Sequence, residues 1–149
     1  MTPEQIKLVQ GSFSKVEPIA ETAADIFYDR LFEIAPSVRS MFPAEMKDQK
    51  TKLMQTLGVA VNNLHQVETI LPNIQDLAKK HVGYGVKDEH YDTVGEALIY
   101  TLDKGLGEEF TPDVKDAWLE TYGLVAGAMK SAAATVEPPK KGFFSKIFG

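Results

Sequence analysis

Apolar residues recur along this chain at spacings of three and four, the period of helices with one buried face. Ile6, Val9, Phe13 and Val16 form the first stripe. Thr2-Pro3-Glu4-Gln5 gives it a start: a hydroxyl cap, proline at the first helical position, and glutamine three residues after the cap. Pro18 marks a boundary. Ala20, Ala23, Ala24, Phe27, Leu31 and Ile34 share the next face, which stops before Pro36. A short stretch from Ser37 to Phe42 ends at Pro43. The polar linker AEMKDQK then leads into a third long helix, with Leu53, Leu57, Ala60, Val61 and Leu64 inward. Leu71-Pro72 opens a shorter helix carrying Ile74, Leu77 and Ala78, and the glycines of VGYGV break it after His81. Asp88 is placed to cap the next helix, whose stripe is Tyr91, Val94, Leu98 and Leu102, and Gly105 and Gly107 end it. Thr111-Pro112 starts the last long helix as Thr2-Pro3 starts the first, with Val114, Ala117, Trp118, Val125, Ala128 and Met129 facing the core.

No segment alternates with the period of a strand, and no internal repeat is evident. The pattern predicts an all-α fold of six or seven helices in one domain over residues 1–137, with a separate tail over 138–149. A chain of 149 residues suffices for one core of this kind and leaves no room for a second catalytic domain. The net charge of −5 argues against nucleic acid as a partner. No apolar run approaches the roughly 18 residues of a membrane span, and the N-terminus does not read as a signal peptide, so the cytoplasm is the expected compartment. The chain has no cysteine, which removes disulfides, thiolate catalysis and thiolate metal ligation. The histidines are His65, His81 and His90.

The informative positions are polar residues on apolar stripes, because burying an unpaired polar group costs about 1–3 kcal/mol. His81 continues the stripe of Leu77 and Ala78. Tyr28 falls between Ala24 and Leu31 on the second stripe. Gln49 lies one turn before Leu53. Three helices could thus bring a histidine, a tyrosine and a glutamine to one cavity. Each also has an ordinary reading. An inward histidine is more often a satisfied core residue than a metal ligand, an inward tyrosine commonly packs and finds one hydrogen bond, a glutamine near a helix start is often solvated, and Phe42 reads as core.

Several motifs fall in order across residues 3–135: FYDRLF (27–32), AP..RSMF (35–42), KLMQTLG (52–58), ILP with AKKH ending at His81 (70–81), YGV...HYDTVGEAL (84–98) and DAW...YGLVA (116–126). On these motifs the chain resembles bacterial single-domain globins, similar to the globin domain of flavohaemoglobins. The resemblance implies a globin fold around a haem b pocket. It implies His81 as the proximal iron ligand, Phe42 stacked on the haem, Leu53 as the apolar residue over the iron, and Tyr91 beside His81. It implies Tyr28 and Gln49 as distal hydrogen-bond donors to a bound gas. One imidazole leaves an iron position open for oxygen or another diatomic gas such as NO or CO. Two donors would slow oxygen release, which argues against simple delivery.

The chain also departs from that pattern. Flavohaemoglobins set a glutamate of the last helix against the proximal histidine. Here the matching place holds the small residues Ser131 to Ala134, and Glu137 lies beyond it. Without that carboxylate the histidine is less imidazolate-like, which tells against strong oxidative chemistry. No flavin or nicotinamide domain is expected alongside the helices, so turnover as a nitric oxide dioxygenase, the alternative to reversible gas binding, is expected to need an external reductase. His65 sits 16 residues past Gln49, roughly 24 Å along a continuous helix, too far to act as a distal ligand. His90 is expected to be solvated at a helix start. In the tail, Phe143, Phe144, Ile147 and Phe148 with Lys140, Lys141 and Lys146 form a weak membrane-surface or partner-docking signature, set against a simple flexible end.

Overall fold

A computed structural model describes residues 1–83 and 88–135; the side chains of 67–69, 83, 88, 133 and 135 are outside the description. The tail of 138–149, Glu137, the core of the VGYGV break and the Asp88 cap therefore lie outside the described residues. Among the described residues there are six α-helices and no strand: α1 (Pro3–Val16), α2 (Ala20–Ile34), α3 (Lys47–Asn62), α4 (Leu71–Gly83), α5 (Asp88–Leu106) and α6 (Pro112–Thr135). Short 3-10 turns join several of them: Glu17–Ile19, which contains Pro18, then Pro36–Met41, Leu64–Ile70 and Gly107–Glu109.

The helix starts follow local chemistry. Thr2 Oγ1 accepts from Gln5 N at 3.1 Å while Thr2 N donates to Gln5 Oε1 at 2.9 Å, so each residue satisfies an orphan donor of the other. At α6, Thr111 Oγ1 accepts from Val114 N at 3.3 Å, with Pro112 at the first position. Three boundaries differ from the sequence expectation. α3 begins at Lys47, inside the segment read as a linker, where Glu45 Oε1 accepts from Lys47 N at 3.0 Å. α3 also ends at Asn62, so Leu64 is buried from a 3-10 turn rather than from the helix stripe. Gly105 stays within α5; the break comes at Gly107, whose φ of +58° suits glycine and few other residues.

The buried residues form two groups. The larger joins α1, α2, α3, α5 and α6 around Val9, Phe13, Phe27, Leu31, Leu98 and Trp118. The smaller joins α4, α5 and α6 through Ile74, Ala78, Tyr91, Ala126 and Met129. α2 packs on α5, and α6 carries both α1 and α4. Trp118 is 1% exposed, and its indole N–H donates to Ser12 Oγ at 2.8 Å, tying α6 to α1. Trp118→Ala should therefore cost about 3–5 kcal/mol, a large share of a typical domain's stability. Urea unfolding measures it; a loss below ~1 kcal/mol would contradict the central position of this ring. Among the described residues, no helix is long and apolar enough to cross a membrane.

Candidate functional site

The two buried groups do not close on each other. Between them lies a cleft of about 380 Å³, within the usual range for a small-molecule site. α3 forms one wall with Gln49, Leu53, Leu57 and Ala60; α4 supplies Leu77 and His81 opposite; Phe42 and Val38 close one end; α5 and α6 provide Tyr91, Val94, Leu98, Tyr122, Val125 and Met129. Leu53 and Leu57 are only half-buried although they belong to an inward stripe, because they face this cleft. A strip of aliphatic side chains left half-covered by protein is what an apolar ligand would complete.

On the α4 wall, His81 is half-buried. Its Nδ1 lies 2.7 Å from the Leu77 carbonyl, one turn back. A carbonyl only accepts, so Nδ1 carries the proton and the ring's lone pair sits on Nε2. Burial pushes the His81 pKa below its usual value, against the opposing pull of the Leu77 carbonyl, which keeps the imidazole neutral. A neutral imidazole with a fixed tautomer is the form that binds a metal. Tyr91 is stacked beside it, ring centroids 6.4 Å apart at 21°. Among the described residues there is no group of three or more His, Asp or Glu side chains arranged to hold a metal ion. A metal bound by His81 here would have to bring its other donors with it. A flat apolar macrocycle that supplies its own nitrogen donors fits both the lining and this single imidazole.

On the α3 wall, Gln49 reaches into the cleft from the first turn of the helix, and its Nε2–H donates to Tyr28 Oη at 3.3 Å. Tyr28 itself is 3% exposed and is not part of the cleft lining; it stands behind Gln49. The sequence expectation of a shared cavity for all three polar residues is thus met by His81 and Gln49, with Tyr28 one hydrogen bond back. The Tyr28 ring is held among Phe27, Phe32 and Phe42 at centroid distances of 5.0, 5.9 and 5.5 Å. Next to the Gln49–Tyr28 pair, Lys50 Nζ meets Asp25 Oδ1 at 2.7 Å, a second tie between α3 and α2.

Phe42 owes its position to Arg39. The guanidinium donates to the carbonyls of Phe42, Pro43 and Ala44 at 3.3, 3.0 and 3.2 Å, closing the corner into a loop, while its Cζ lies 5.2 Å from the centroid of the Phe32 ring. Nothing in the apolar periodicity pointed to Arg39; the motif AP..RSMF contains it without giving it a task.

Three placements depart from the sequence reading. His90 is half-buried and lines the cleft, together with Thr93 one turn on, rather than being solvated. Their i, i+3 spacing on α5 is visible in the sequence, but spacing alone does not turn a helix start inward. Tyr122, passed over as part of the YGLVA motif, also lines the cleft. Met46 is buried although the segment around it reads as polar. His65 is exposed in the Leu64–Ile70 turn and does not line the cleft. At the end of α6, Ser131 and Ala134 are exposed and Ala132 packs on the smaller buried group.

Burial raises the pKa of Tyr28, partly offset by its bond to Gln49, and raises that of Tyr122, helped by nearby Tyr91 and Asp92. The unfolded chain releases these protons near pH ~10, whereas the folded chain keeps them. Stability is therefore full below pH ~10 and falls as pH rises above it. Two tyrosines whose ultraviolet tyrosinate signal develops only with unfolding are expected; ionisation of all tyrosines at their ordinary value in the folded chain would contradict this burial.

Comparison with known proteins bears on this arrangement. The globin family model matches residues 25–129, more than half of the chain. The flavohemoprotein of Bacillus subtilis is 32% identical over 126 residues, covering 83% of this chain; the chain spans about a third of that relative, 32% of its length. Neuroglobin-2 of Oncorhynchus mykiss is 29% identical over 143 residues, covering 87% of this chain and 90% of the relative. A solved bacterial globin from Campylobacter jejuni superposes with a TM-score of 0.82 at 26% identity, covering 89% of this chain and 96% of that one. With six described helices framing an apolar cleft, and with these matches, the chain belongs to the globin family and resembles the globin domain of flavohaemoglobins.

Proposed function

We propose that this globin holds haem b through His81 and reversibly binds oxygen, or another diatomic gas, on the opposite side of the ring. The observation that carries the reading is the pairing across one cleft: a neutral, tautomer-fixed imidazole on α4 and a tyrosine-backed amide on α3. Membership of the globin family supports haem as the group and a gas as its ligand. Haem, held by His81, would supply the iron at which a diatomic gas binds.

The chain's own residues do the rest. His81 offers Nε2 as the single protein donor, and the Leu77 carbonyl holds its ring in register. Phe42, Leu53, Leu57 and Val94 exclude water from the two faces of the cleft. His90 and Thr93 are polar groups in the same lining. Gln49 presents an amide at the cleft where a ligand with partial negative charge would sit, and Tyr28, one hydrogen bond behind it, holds that amide in place and carries a second donor. Because burial keeps Tyr28 protonated, its hydroxyl remains a donor throughout the physiological pH range. With no cysteine in the chain, the haem is held without thioether bonds and should extract into acidified organic solvent as haem b.

Nitric oxide dioxygenation is the second reading, favoured by the same pair of donors, which suits holding oxygen over giving it up. On this reading a reductase returns the iron to its reduced state after each turnover; the chain itself spans about a third of the flavohemoprotein it matches. Repeated oxygenation and deoxygenation of the reduced protein, followed by its spectrum, tests the first reading. Nitrate formed over many turnovers in the presence of a reductase would favour the second, and a single stoichiometric burst would sink it.

A further inference from the structure

Tyr122 has no place in the function proposed so far, yet it is held at both its hydroxyl and its ring. Its hydroxyl donates to the backbone carbonyl of Tyr91 at 2.5 Å, joining α6 to the first turn of α5. Its ring lies directly over Gly95. A Cβ placed on Gly95 would come within 2.8 Å of Tyr122 Cε2 and 3.0 Å of Cδ2, so only a glycine lets the two helices approach this closely here. Two turns further along α6, Lys130 Nζ sits 5.8 Å from the centroid of the Tyr91 ring and 3.9 Å from Asp92 Oδ1. Met129, between them in register, packs in the same buried group as Tyr91. α6 therefore grips Tyr91 by its backbone, its ring and its flank. Tyr91 in turn is the ring stacked on His81.

Two constraints are needed to fix an imidazole. The Leu77 carbonyl sets its tautomer and one in-plane direction. That bond lies within α4 and leaves rotation about its own axis open. The Tyr91 ring, nearly parallel to the imidazole at 21°, adds a restraint on the ring plane. Restraints of this kind around a metal-binding histidine tune the strength of its bond to the metal.

We propose that Tyr122 is a positioning residue for His81: seated on Gly95 and bonded to the Tyr91 carbonyl, it sets the plane of the imidazole through the Tyr91 ring. The inference rests on His81 as the haem ligand. Tyr122→Phe keeps the ring over Gly95 and deletes only the hydroxyl. Gly95→Ala keeps the hydroxyl and displaces the ring. Both should loosen the same restraint by different routes.

The test is resonance Raman spectroscopy of the reduced, gas-free holoprotein, reading the iron–histidine stretching band. Tyr100→Phe is the control, since Tyr100 lies on α5 outside the cleft lining, against Arg30 and Lys104. Both Tyr122→Phe and Gly95→Ala are expected to shift or broaden the band, with a parallel change in reduction potential, while Tyr100→Phe leaves it in place. Should Gly95→Ala fail to fold, Tyr122→Phe against Tyr100→Phe still decides. A band unchanged in Tyr122→Phe, or moved equally by Tyr100→Phe, overturns the proposal, even if thermal stability falls. Absence of any iron–histidine band in the parent protein would instead overturn His81 as the ligand, so the two failures are distinct.

Discussion

Tyr28→Phe should release oxygen roughly ten- to a hundredfold faster than the parent protein. The hydroxyl is deeply buried, and the ring is fixed among Phe27, Phe32 and Phe42, so phenylalanine can keep the packing while losing only the oxygen. That oxygen has two uses. It accepts the Gln49 Nε2–H, which holds the amide at the cleft, and its own O–H is left to donate. Hydrogen bonds to a charged or partly charged partner contribute about 1.5–3 kcal/mol, and each ~1.4 kcal/mol is a factor of ten. Removing the group behind Gln49 also frees the glutamine, so the loss should not be recovered by Gln49 alone. The oxygen dissociation rate, measured by displacement with carbon monoxide, checks this. An unchanged rate would remove Tyr28 from gas retention and leave Gln49 as the donor to examine.

The second large effect belongs to His81→Gly. Partners of a metal-bound histidine typically matter by about 10–100-fold in affinity, so loss of the histidine itself should cost about 100-fold or more in haem retention. The substitution also removes the ring stacked on Tyr91 and leaves a space the size of imidazole against the Leu77 carbonyl. Added imidazole should occupy that space and restore much of the parent spectrum. Haem transfer to an acceptor apoprotein, with and without imidazole, gives the number. A variant that keeps haem and spectrum unchanged would show that another side chain ligates the iron, with His90, in the same cleft lining, the first to test.

How much of this was legible in the sequence follows from what a periodic pattern encodes. Thr2 and Gln5 announced the start of α1 because a capping box is local and needs no tertiary partner. The inward faces of α2, α5 and α6 were legible for the same reason: spacing fixes a face. Depth along that face is not local. Tyr28 and Gln49 both read as inward, yet one lies behind the other because α3 begins at Lys47 and brings Gln49 across α2. His90 looked solvated because a helix start usually is; the fold turns that start toward the cleft. Gly95 carries no periodic signal at all, and its reason is a tyrosine 27 residues away, on another helix. The site roles came from the motif resemblance, which supplied what periodicity cannot: which polar interruption of a stripe belongs to chemistry.

The visible absorption spectrum tests the central claim most directly. Purified protein, supplied with hemin if needed, is recorded ferric, reduced, and reduced with carbon monoxide. A strong Soret band that shifts on reduction, shifts again with carbon monoxide, and is lost in His81→Gly is the predicted result. A spectrum indistinguishable from free hemin in all three states would contradict it.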